Sequence, residues 1–298
     1  MSNKLREIEE FVDYVQERLE VECCHSLDAD SSNLLLLVED EGERYVVKRY
    51  HSAAAFKLES YVLGQMSGLK VPRLIYSESQ EKDRWNWLVY KYIEGIPLYA
   101  MAKSINPTLL CKVFAEIGSF LSVFHHRFAI KDDKLFEDFK QDTMLRIDLN
   151  YACATQRGEN PLLQKAVSFL KQNFCLLDRE DKYGLIIKDF TDKHILVAKS
   201  QGSWGLTGVI DFEMVRYAHR YSDFSCLYMS WLLKNGDLEQ AFWDGYGITL
   251  SEQEKVTTAF FILKDALELC GILSGVHIEN RLEGEKIIRE TLYWINQF

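Results

Sequence analysis

The segment 184–213 constrains the fold most strongly, because short apolar runs alternate there with polar loops. The apolar runs are three predicted strands, 185–187, 195–197 and 206–210. Turn-forming residues between the runs favour short strands that would bring Asp189, His194 and Asp211 close together. Acidic groups at the ends of apolar strands are costly to bury unless a cation lies between them. The segment therefore predicts a site for a metal-bound polyphosphate.

The spacing of these three residues carries further information. His194 follows Asp189 by five residues, and Asp211 opens the tripeptide DFE. In kinases a catalytic-loop Asp accepts the hydroxyl proton, an Asn five residues later binds metal, and a second Asp binds metal at a DFG-like segment. The order resembles the aminoglycoside phosphotransferase and choline kinase group of the protein-kinase-like superfamily. The signature of that group is H-G-D-x-x-x-x-N followed by I-D-[WF]-[EG].

The resemblance implies a fold and a division of the chain. We expect an α+β, protein-kinase-like fold with two lobes. Residues 1–94 would form a small β-rich lobe that binds nucleotide, and residues 95–298 a mostly helical lobe with the catalytic loop and the acceptor site. The length of 298 residues suffices for two such lobes.

Composition excludes several classes of partner. A formal net charge of −10 argues against a standing nucleic-acid partner, because phosphate backbones need basic surface. The N-terminus lacks an apolar signal region, and no uncharged apolar run approaches about 20 residues. Seven cysteines without a C-x-x-C pair indicate free thiols in a reducing compartment. We therefore expect a cytoplasmic protein without a membrane or nucleic-acid partner, and the oligomeric state stays open.

The N-terminal part predicts a helix over 4–19 and a hairpin of strands 34–38 and 44–50 around an acidic turn with glycine. A further helix is predicted over 53–66. Strands over 71–76 and 87–92 then lead into the segment Ile93-Glu94-Gly95.

The strand YVVKRY places Val46 and Lys48 on one face by its alternation. The resemblance implies that Lys48 pairs the α- and β-phosphates and that Val46 covers the adenine. A lysine on a buried face needs a carboxylate partner, and Glu59, eleven residues on, is the implied one. The alternative is an exposed lysine on an edge strand. The order of Asp189 and Asp211 downstream favours the phosphate role.

Two backbone-rich segments complete the implied nucleotide site. The loop 28–33 has no glycine, but Ser31, Ser32 and Asn33 could offer hydroxyl and N–H groups to phosphate. An ordinary polar turn is an equally good interpretation of that loop. By position, the carbonyl of Lys91 and the N–H of Ile93 would hydrogen-bond adenine at the hinge.

The second half of the chain predicts mostly helices, over 107–126, 161–174 and 224–233, with three more in 237–298. Residues 127–160 are charged and predicted to be loop-rich, with one possible short helix. The resemblance implies a structural role for His125 or His126 beneath the catalytic loop. It also implies that Asp223 braces that loop through its backbone N–H groups.

The acceptor is not identified by the sequence. A group of carboxylates could form an acidic pocket for an aminoglycoside or another amine, at positions 132, 133, 137, 138 and 142. A solvated charge run is the commoner explanation.

The sequence departs from the signature at three positions. Ile187 replaces its histidine, Lys188 its glycine and His194 its asparagine. Magnesium prefers oxygen ligands, whereas imidazole suits softer metals such as manganese. His194 could therefore bind a different metal together with Asp211, bind magnesium weakly or contact phosphate.

These features predict an ATP- or GTP-dependent phosphotransferase that uses Mg²⁺ or Mn²⁺ and a small-molecule hydroxyl. Asp189 would be the catalytic base, and Asp211 with His194 would hold the metal. The alternative function is a nucleotide-binding pseudokinase that acts as a scaffold or regulator. Protein-kinase activity is disfavoured, because the segment between Asp211 and Asp223 is too short for a long activation loop.

Overall fold

The structure is a computed structural model. It describes residues 3–21, 23–28, 33–79, 86–101, 106–156, 158–178, 180–275 and 278–297. Two compact units are present. The first unit comprises Met1–Ile96 and Thr207–Val215, and the second comprises Pro97–Leu206 and Arg216–Phe298. The predicted division at 94/95 treats the lobes as consecutive segments, whereas the structure groups Thr207–Val215 with the N-terminal segment.

The first unit contains a five-stranded antiparallel sheet in the order β1-β2-β3-β5-β4. Its strands are β1 (Cys23–Asp28), β2 (Leu34–Asp40), β3 (Glu43–Tyr50), β4 (Leu74–Ser79) and β5 (Asn86–Lys91). A two-residue strand, β6 (Ile96–Pro97), follows where the first unit ends. The hairpin of β2 and β3 is confirmed. Its turn contains Glu41 and Gly42, both with positive φ, which suits the twist of a two-residue hairpin.

Two helices pack on this sheet as predicted, α1 (Asn3–Leu19) and α2 (Ala53–Gln65). Phe11 and Val15 of α1 are fully buried in one core cluster with Leu36 and Trp87. Ser52 caps α2, because its side chain accepts a hydrogen bond from the Ala55 N–H at 3.3 Å. The cap fixes the start of the helix that carries Glu59.

The second unit is mostly helical. Its helices are α3 (Leu98–Met101), α4 (Pro107–Arg127), α5 (Asp133–Thr155), α6 (Pro161–Gln172), α7 (Phe224–Ser230), α8 (Gly236–Tyr246), α9 (Glu252–Cys270) and α10 (Ile278–Ile295). Short 3₁₀ turns lie at Phe174–Asp178, Glu180–Lys182, Arg220–Asp223, Leu232–Lys234 and Ile272–Gly275. Gly118 and Gly245 allow helices α4 and α8 to approach closely. A Cβ atom on Gly118 would clash with the Phe242 carbonyl, and one on Gly245 with the Ala115 carbonyl.

The loop-rich prediction for 127–160 is wrong. Helix α5 occupies 23 of those residues, and the Asp132 side chain caps it by accepting from the Leu135 N–H at 2.9 Å. Its buried positions include Thr143, Asn150 and Ala154. Polar and small residues on the buried face hide the apolar periodicity that identifies a helix.

Four strands flank the predicted catalytic loop. They are β7 (Tyr183–Ile186), β8 (Ile195–Ser200), β9 (Ser203–Val209) and β10 (Arg216–His219). The three predicted strands exist, but they do not form one sheet. Strand β7 pairs with β10, which the sequence analysis missed, and β8 is the neighbour of β9.

One helix within the described ranges, α4, has the length and hydropathy to cross a membrane. Lys112 and Glu116 interrupt its apolar sequence, and most of its large apolar side chains are buried. A core helix passes the same test, so this finding is weak evidence for a membrane span.

Candidate active site

One lysine and three carboxylates meet in the first unit, and we call them the lysine–carboxylate cluster. The Nζ atom of Lys48 lies 2.9 Å from Glu59, 2.6 Å from Asp211 and 2.9 Å from Glu213. The side chains of Lys48 and Glu59 are 4% and 1% exposed, and the other two carboxylates are partly buried. The predicted contact between Lys48 and Glu59 is therefore present, whereas their role in binding phosphate stays a prediction.

The charge of the cluster follows from its burial. Burial disfavours the ammonium, but the carboxylates of Glu59, Asp211 and Glu213 outweigh that effect and raise the pKa of Lys48 well above its ordinary value. Burial raises the pKa of Glu59, and Asp211 adds to the increase against the opposing effect of Lys48. Three carboxylates thus share one cation, which leaves local negative charge that a further cation would stabilise.

The backbone conformation of the DFE segment positions the carboxylates of Asp211 and Glu213. Asp211 has a φ of 68°, in the left-handed region that costs a non-glycine residue about 1 kcal/mol or more. The next residue, Phe212, is fully buried, and its N–H donates to Oε1 of Glu59 at 3.3 Å. This contact ties the segment to helix α2 and holds Asp211 and Glu213 beside Lys48.

Glu213 was not among the predicted site residues. The Glu213 carboxylate accepts a hydrogen bond from the Asn33 side-chain NH₂, and Oδ1 of Asn33 accepts from the His51 backbone N–H at 3.2 Å. The available signal was its place two residues after Asp211, where the signature I-D-[WF]-[EG] has glutamate or glycine. Asn33 is thereby brought to the cluster, as its predicted nucleotide role requires. Ser31 and Ser32 lie outside the described residues.

The remaining predicted nucleotide residues lie on β3 and at the end of β5. Val46 is buried and pairs with Tyr90 across the sheet. The Lys91 N–H donates to the Arg73 carbonyl at 2.9 Å, and the Lys91 ammonium forms an ion pair with Glu43. Ile93 packs where a Cβ atom on Gly208 would meet its side chain at 2.6 Å. Their adenine contacts stay predictions.

Asp189 and His194 lie in the second unit, on the loop between β7 and β8. The Asp189 side chain is 46% exposed, so its carboxylate is accessible. His194 Nδ1 lies 3.0 Å from the Asp189 carbonyl oxygen. A carbonyl only accepts, so Nδ1 carries the proton, and in the neutral ring Nε2 keeps the lone pair that a metal would need. The predicted partner in metal binding, Asp211, belongs to the first unit, and the metal role of His194 stays a prediction.

A buried carboxylate holds the start of this loop. Oδ2 of Asp223 accepts the Ile187 N–H at 2.9 Å, and Oδ1 accepts the Lys188 N–H at 2.7 Å. The Asp223 side chain has no solvent exposure. These contacts agree with the bracing role that the resemblance implied for Asp223.

His125 packs under the same carboxylate. Its Nε2 lies 3.0 Å from Asp223, and its Nδ1 lies 2.9 Å from the Tyr246 hydroxyl. Burial lowers the pKa of His125 although Asp223 opposes the shift, so the ring is neutral at neutral pH. Nε2 then donates to Asp223, and Nδ1 accepts from Tyr246. His126, the other candidate, is exposed.

The two departures before Asp189 have a structural explanation. Ile187 is fully buried, and its backbone keeps the bond to Asp223 without a histidine side chain. Lys188 has a φ of 69°, in the region where glycine is favoured. The loop therefore keeps the backbone conformation that a glycine would adopt freely.

The donor set of the lysine–carboxylate cluster fits a hard divalent cation. Carboxylate oxygens of Glu59, Asp211 and Glu213 all lie within 4.8 Å of one another. Magnesium prefers oxygen ligands and keeps several waters. Asp211 and Glu213 are the more accessible donors, because Glu59 is already engaged by Lys48, by the Phe212 N–H and by the Tyr50 hydroxyl at 2.6 Å.

Solved structures with the same fold are phosphotransferases by name. A protein from Ralstonia eutropha JMP134, provisionally named an aminoglycoside phosphotransferase, superposes with a TM-score of 0.71 at 13% identity, over 97% of this chain and 98% of that one. The GDP complex of wild-type aminoglycoside 2'-phosphotransferase-IIIa gives a TM-score of 0.66 at 18% identity over 100% of both chains. Spectinomycin phosphotransferase APH(9)-Ia, in complex with ADP and spectinomycin, gives a TM-score of 0.57 at 16% identity, over 95% of this chain and 93% of that one. These likenesses confirm the α+β, protein-kinase-like fold.

The sequence itself assigns the family. Among curated proteins, none matches it significantly. Residues 24–256, well over half of the chain, match the phosphotransferase enzyme family, APH. The chain therefore belongs to the phosphotransferase enzyme family, as the order of its motifs predicted.

Proposed function

We propose that this protein transfers the γ-phosphate of ATP or GTP to a hydroxyl group of a small molecule. The lysine–carboxylate cluster carries the proposal, because a buried lysine surrounded by three carboxylates suits a metal-bound triphosphate better than any purely structural task. Family membership supports a phosphotransferase. Similar folds bind nucleotides, since their structures hold GDP, ADP or AMP-PNP.

The proposed step is a single displacement. The acceptor oxygen forms a bond to the γ-phosphorus, the bond from that phosphorus to the bridging oxygen breaks, and the nucleoside diphosphate leaves with the bridging oxygen. Asp189 takes the hydroxyl proton, which its accessible carboxylate can do. Lys48 neutralises charge on the α- and β-phosphates, and Glu59 fixes the position of that lysine.

Asp211 and Glu213 would hold the divalent cation, with Glu59 nearby. A bound cation supplies charge neutralisation for the phosphate oxygens. Asn33 orients Glu213 by donating to its carboxylate.

The alternative, a nucleotide-binding pseudokinase, draws on the replaced residues at positions 187, 188 and 194. Two of these replacements give the pseudokinase little support, because at Ile187 and Lys188 the loop keeps its backbone conformation and its hydrogen bonds to Asp223.

The direct test incubates the purified chain with ATP or GTP, Mg²⁺ or Mn²⁺ and a panel of hydroxyl compounds. We expect metal-dependent formation of the nucleoside diphosphate and of a phosphorylated acceptor, detected by mass spectrometry. Thermal stabilisation by AMP-PNP without hydrolysis or transfer under either metal would support the pseudokinase instead.

A second expectation concerns Glu213. Replacing it with glutamine keeps the shape but removes one carboxylate from the cation site, so the Mg²⁺ concentration for half-maximal activity should rise about 10- to 100-fold. The measurement is nucleotide turnover against Mg²⁺ concentration. Glu39→Gln, at an exposed position on β2, is the matched control and should leave the curve unchanged. An unchanged curve for Glu213→Gln would remove Glu213 from the site.

A further inference from the structure

Two basic residues of the second unit, Lys188 and Arg216, lie near the start of the loop that carries Asp189. Arg216 opens β10, directly opposite Ile186 of β7. The chain continues from Ile186 through Lys188 to Asp189. Three residues at about 3.3 Å each place the Asp189 Cα within about 10 Å of the Ile186 Cα. Because paired Cα atoms of antiparallel strands lie about 5 Å apart, the Arg216 Cα lies within about 15 Å of the Asp189 Cα.

Lys188 is already neutralised. Its Nζ atom lies 3.6 Å from Oδ1 of Asp265, and its side chain is 22% exposed. Asp265 raises the pKa of Lys188 against the opposing effects of burial and of nearby Arg216. Arg216 thus belongs to the electrostatic surroundings of Lys188.

Asp265 cannot neutralise Arg216 as well. Its carboxylate is held by Lys264 at 2.5 Å, by Lys188 and by the Ser225 hydroxyl. Burial opposes ionisation, yet these partners lower the pKa of Asp265 below its ordinary range. The nearby Glu268 faces Arg146, whose Nη1 lies 3.8 Å away. Asp265 and Glu268, the carboxylates that act on Lys188, therefore have other cations.

Arg216 itself is not satisfied. Its Nε atom is buried and has no hydrogen-bond partner among the residues that the structure describes. A buried guanidinium N–H without an acceptor is costly, and its planar donors match a carboxylate or phosphate group. Arg216 is only partly buried as a residue, so a guanidinium with an unsatisfied N–H on the strand opposite Ile186 is a candidate to recognise an anion.

The acidic residues considered for an amine pocket do not argue against an anionic ligand at Arg216. Asp132 caps α5, and Asp138 and Asp142 pair along that helix with Lys134 and Arg146. They are the solvated face of a surface helix, as i,i+4 pairs usually are.

We propose that the acceptor carries an anionic group, a carboxylate or a phosphate, close to the hydroxyl that is phosphorylated, and that Arg216 binds this group. The inference rests on the proposed function and narrows its substrate class. Since the Cα atoms of Arg216 and Asp189 lie within about 15 Å of each other, one small molecule can carry both the anionic group and the hydroxyl. A polycationic acceptor would instead place its charge against Arg216.

The test uses acceptors that differ only in charge. The full-length protein is assayed with ATP, Mg²⁺ and the pairs glycerate and glycerol, serine and serinol, and glucose 6-phosphate and glucose, with kanamycin as the polycation. We expect transfer to anionic members in preference to their neutral partners. Carboxylate pairs and the phosphate pair separate the two sources of negative charge.

Arg216→Gln should raise the KM for an anionic acceptor about 10- to 100-fold, because a charge-assisted hydrogen bond is lost. The KM for ATP and the rate of acceptor-free ATP hydrolysis should not change. Arg216→Lys keeps the positive charge but loses the planar guanidinium, so its KM for an anionic acceptor should lie between those of the wild type and Arg216→Gln. Arg289→Gln, at an exposed position of α10, is the control.

Transfer only to neutral or polycationic acceptors would overturn the inference and leave the phosphotransferase proposal intact. Equal loss for charged and neutral acceptors in Arg216→Gln would also overturn it. Hydrolysis of ATP without transfer to any anionic member counts against it in the same way. Absence of both hydrolysis and transfer in the wild type would instead refute the proposed function itself.

Discussion

Replacing Asp189 with asparagine is expected to lower kcat about 10²- to 10⁴-fold, the range over which a positioned general base accelerates a reaction. The amide cannot take the hydroxyl proton, although it keeps the size of the side chain. Because the Asp189 side chain is 46% exposed and its backbone makes the loop contacts, the fold should not be affected. Nucleotide affinity should also stay near the wild-type value, since the groups assigned to the phosphates lie in the first unit.

The measurements are kcat by a coupled assay for nucleoside diphosphate, and nucleotide affinity by calorimetry. Asp237→Asn, at an exposed position in the first turn of α8, is the control for loss of one carboxylate from the second unit. Full activity of Asp189→Asn would show that another group accepts the proton. Equal loss of nucleotide affinity and turnover would assign Asp189 to binding instead.

The second large effect is expected at Asp223. Asparagine has one side-chain oxygen, so it can accept from only one side where the Asp223 carboxylate now accepts from both the Ile187 and the Lys188 N–H groups. Its NH₂ group would face the other N–H, and two donors cannot form a hydrogen bond. Breaking such a buried charged contact costs about 3–5 kcal/mol of unfolding free energy. That loss corresponds to a decrease in Tm of roughly 10 °C for a unit of this size.

A second readout separates positioning from stability. Below the Tm of Asp223→Asn, kcat should fall while the KM for nucleotide is retained, because only the loop that carries Asp189 is disturbed. Tyr246→Phe is the graded control. It removes the hydroxyl that donates to His125 on the far side of the same network and should cost about 1–3 kcal/mol. A Tm loss for Asp223→Asn no larger than that of Tyr246→Phe would contradict the bracing role.

Features that depend on the pattern of nearby residues in the chain could be predicted from the sequence. Alternation along the strand predicted which face Lys48 occupies, and the family resemblance supplied Glu59 as its partner; the two side chains lie 2.9 Å apart. Apolar periodicity similarly located α1 and α4. These features depend on neighbouring residues in the chain, which a single sequence displays.

Features that depend on partners distant in sequence were not predictable. Helix α5 was missed because Thr143 and Asn150 fill buried positions that a periodicity search expects to be apolar. Glu213 was missed because its relation to Lys48 and Asn33 arises only after folding. Lys188 gives no sign of its positive φ, since the conformation is held by Asp223, 35 residues away.

The grouping of Thr207–Val215 with the N-terminal segment has a practical consequence for dissecting the protein. The polypeptide leaves and re-enters the first unit, so no single cut in the backbone releases that unit whole. A recombinant fragment ending at Ile96 would lack Asp211 and Glu213 and leave Lys48 with Glu59 alone of its three carboxylates. A fragment meant for studying nucleotide binding in isolation must therefore include the 207–215 segment, joined for example through a short linker or by circular permutation.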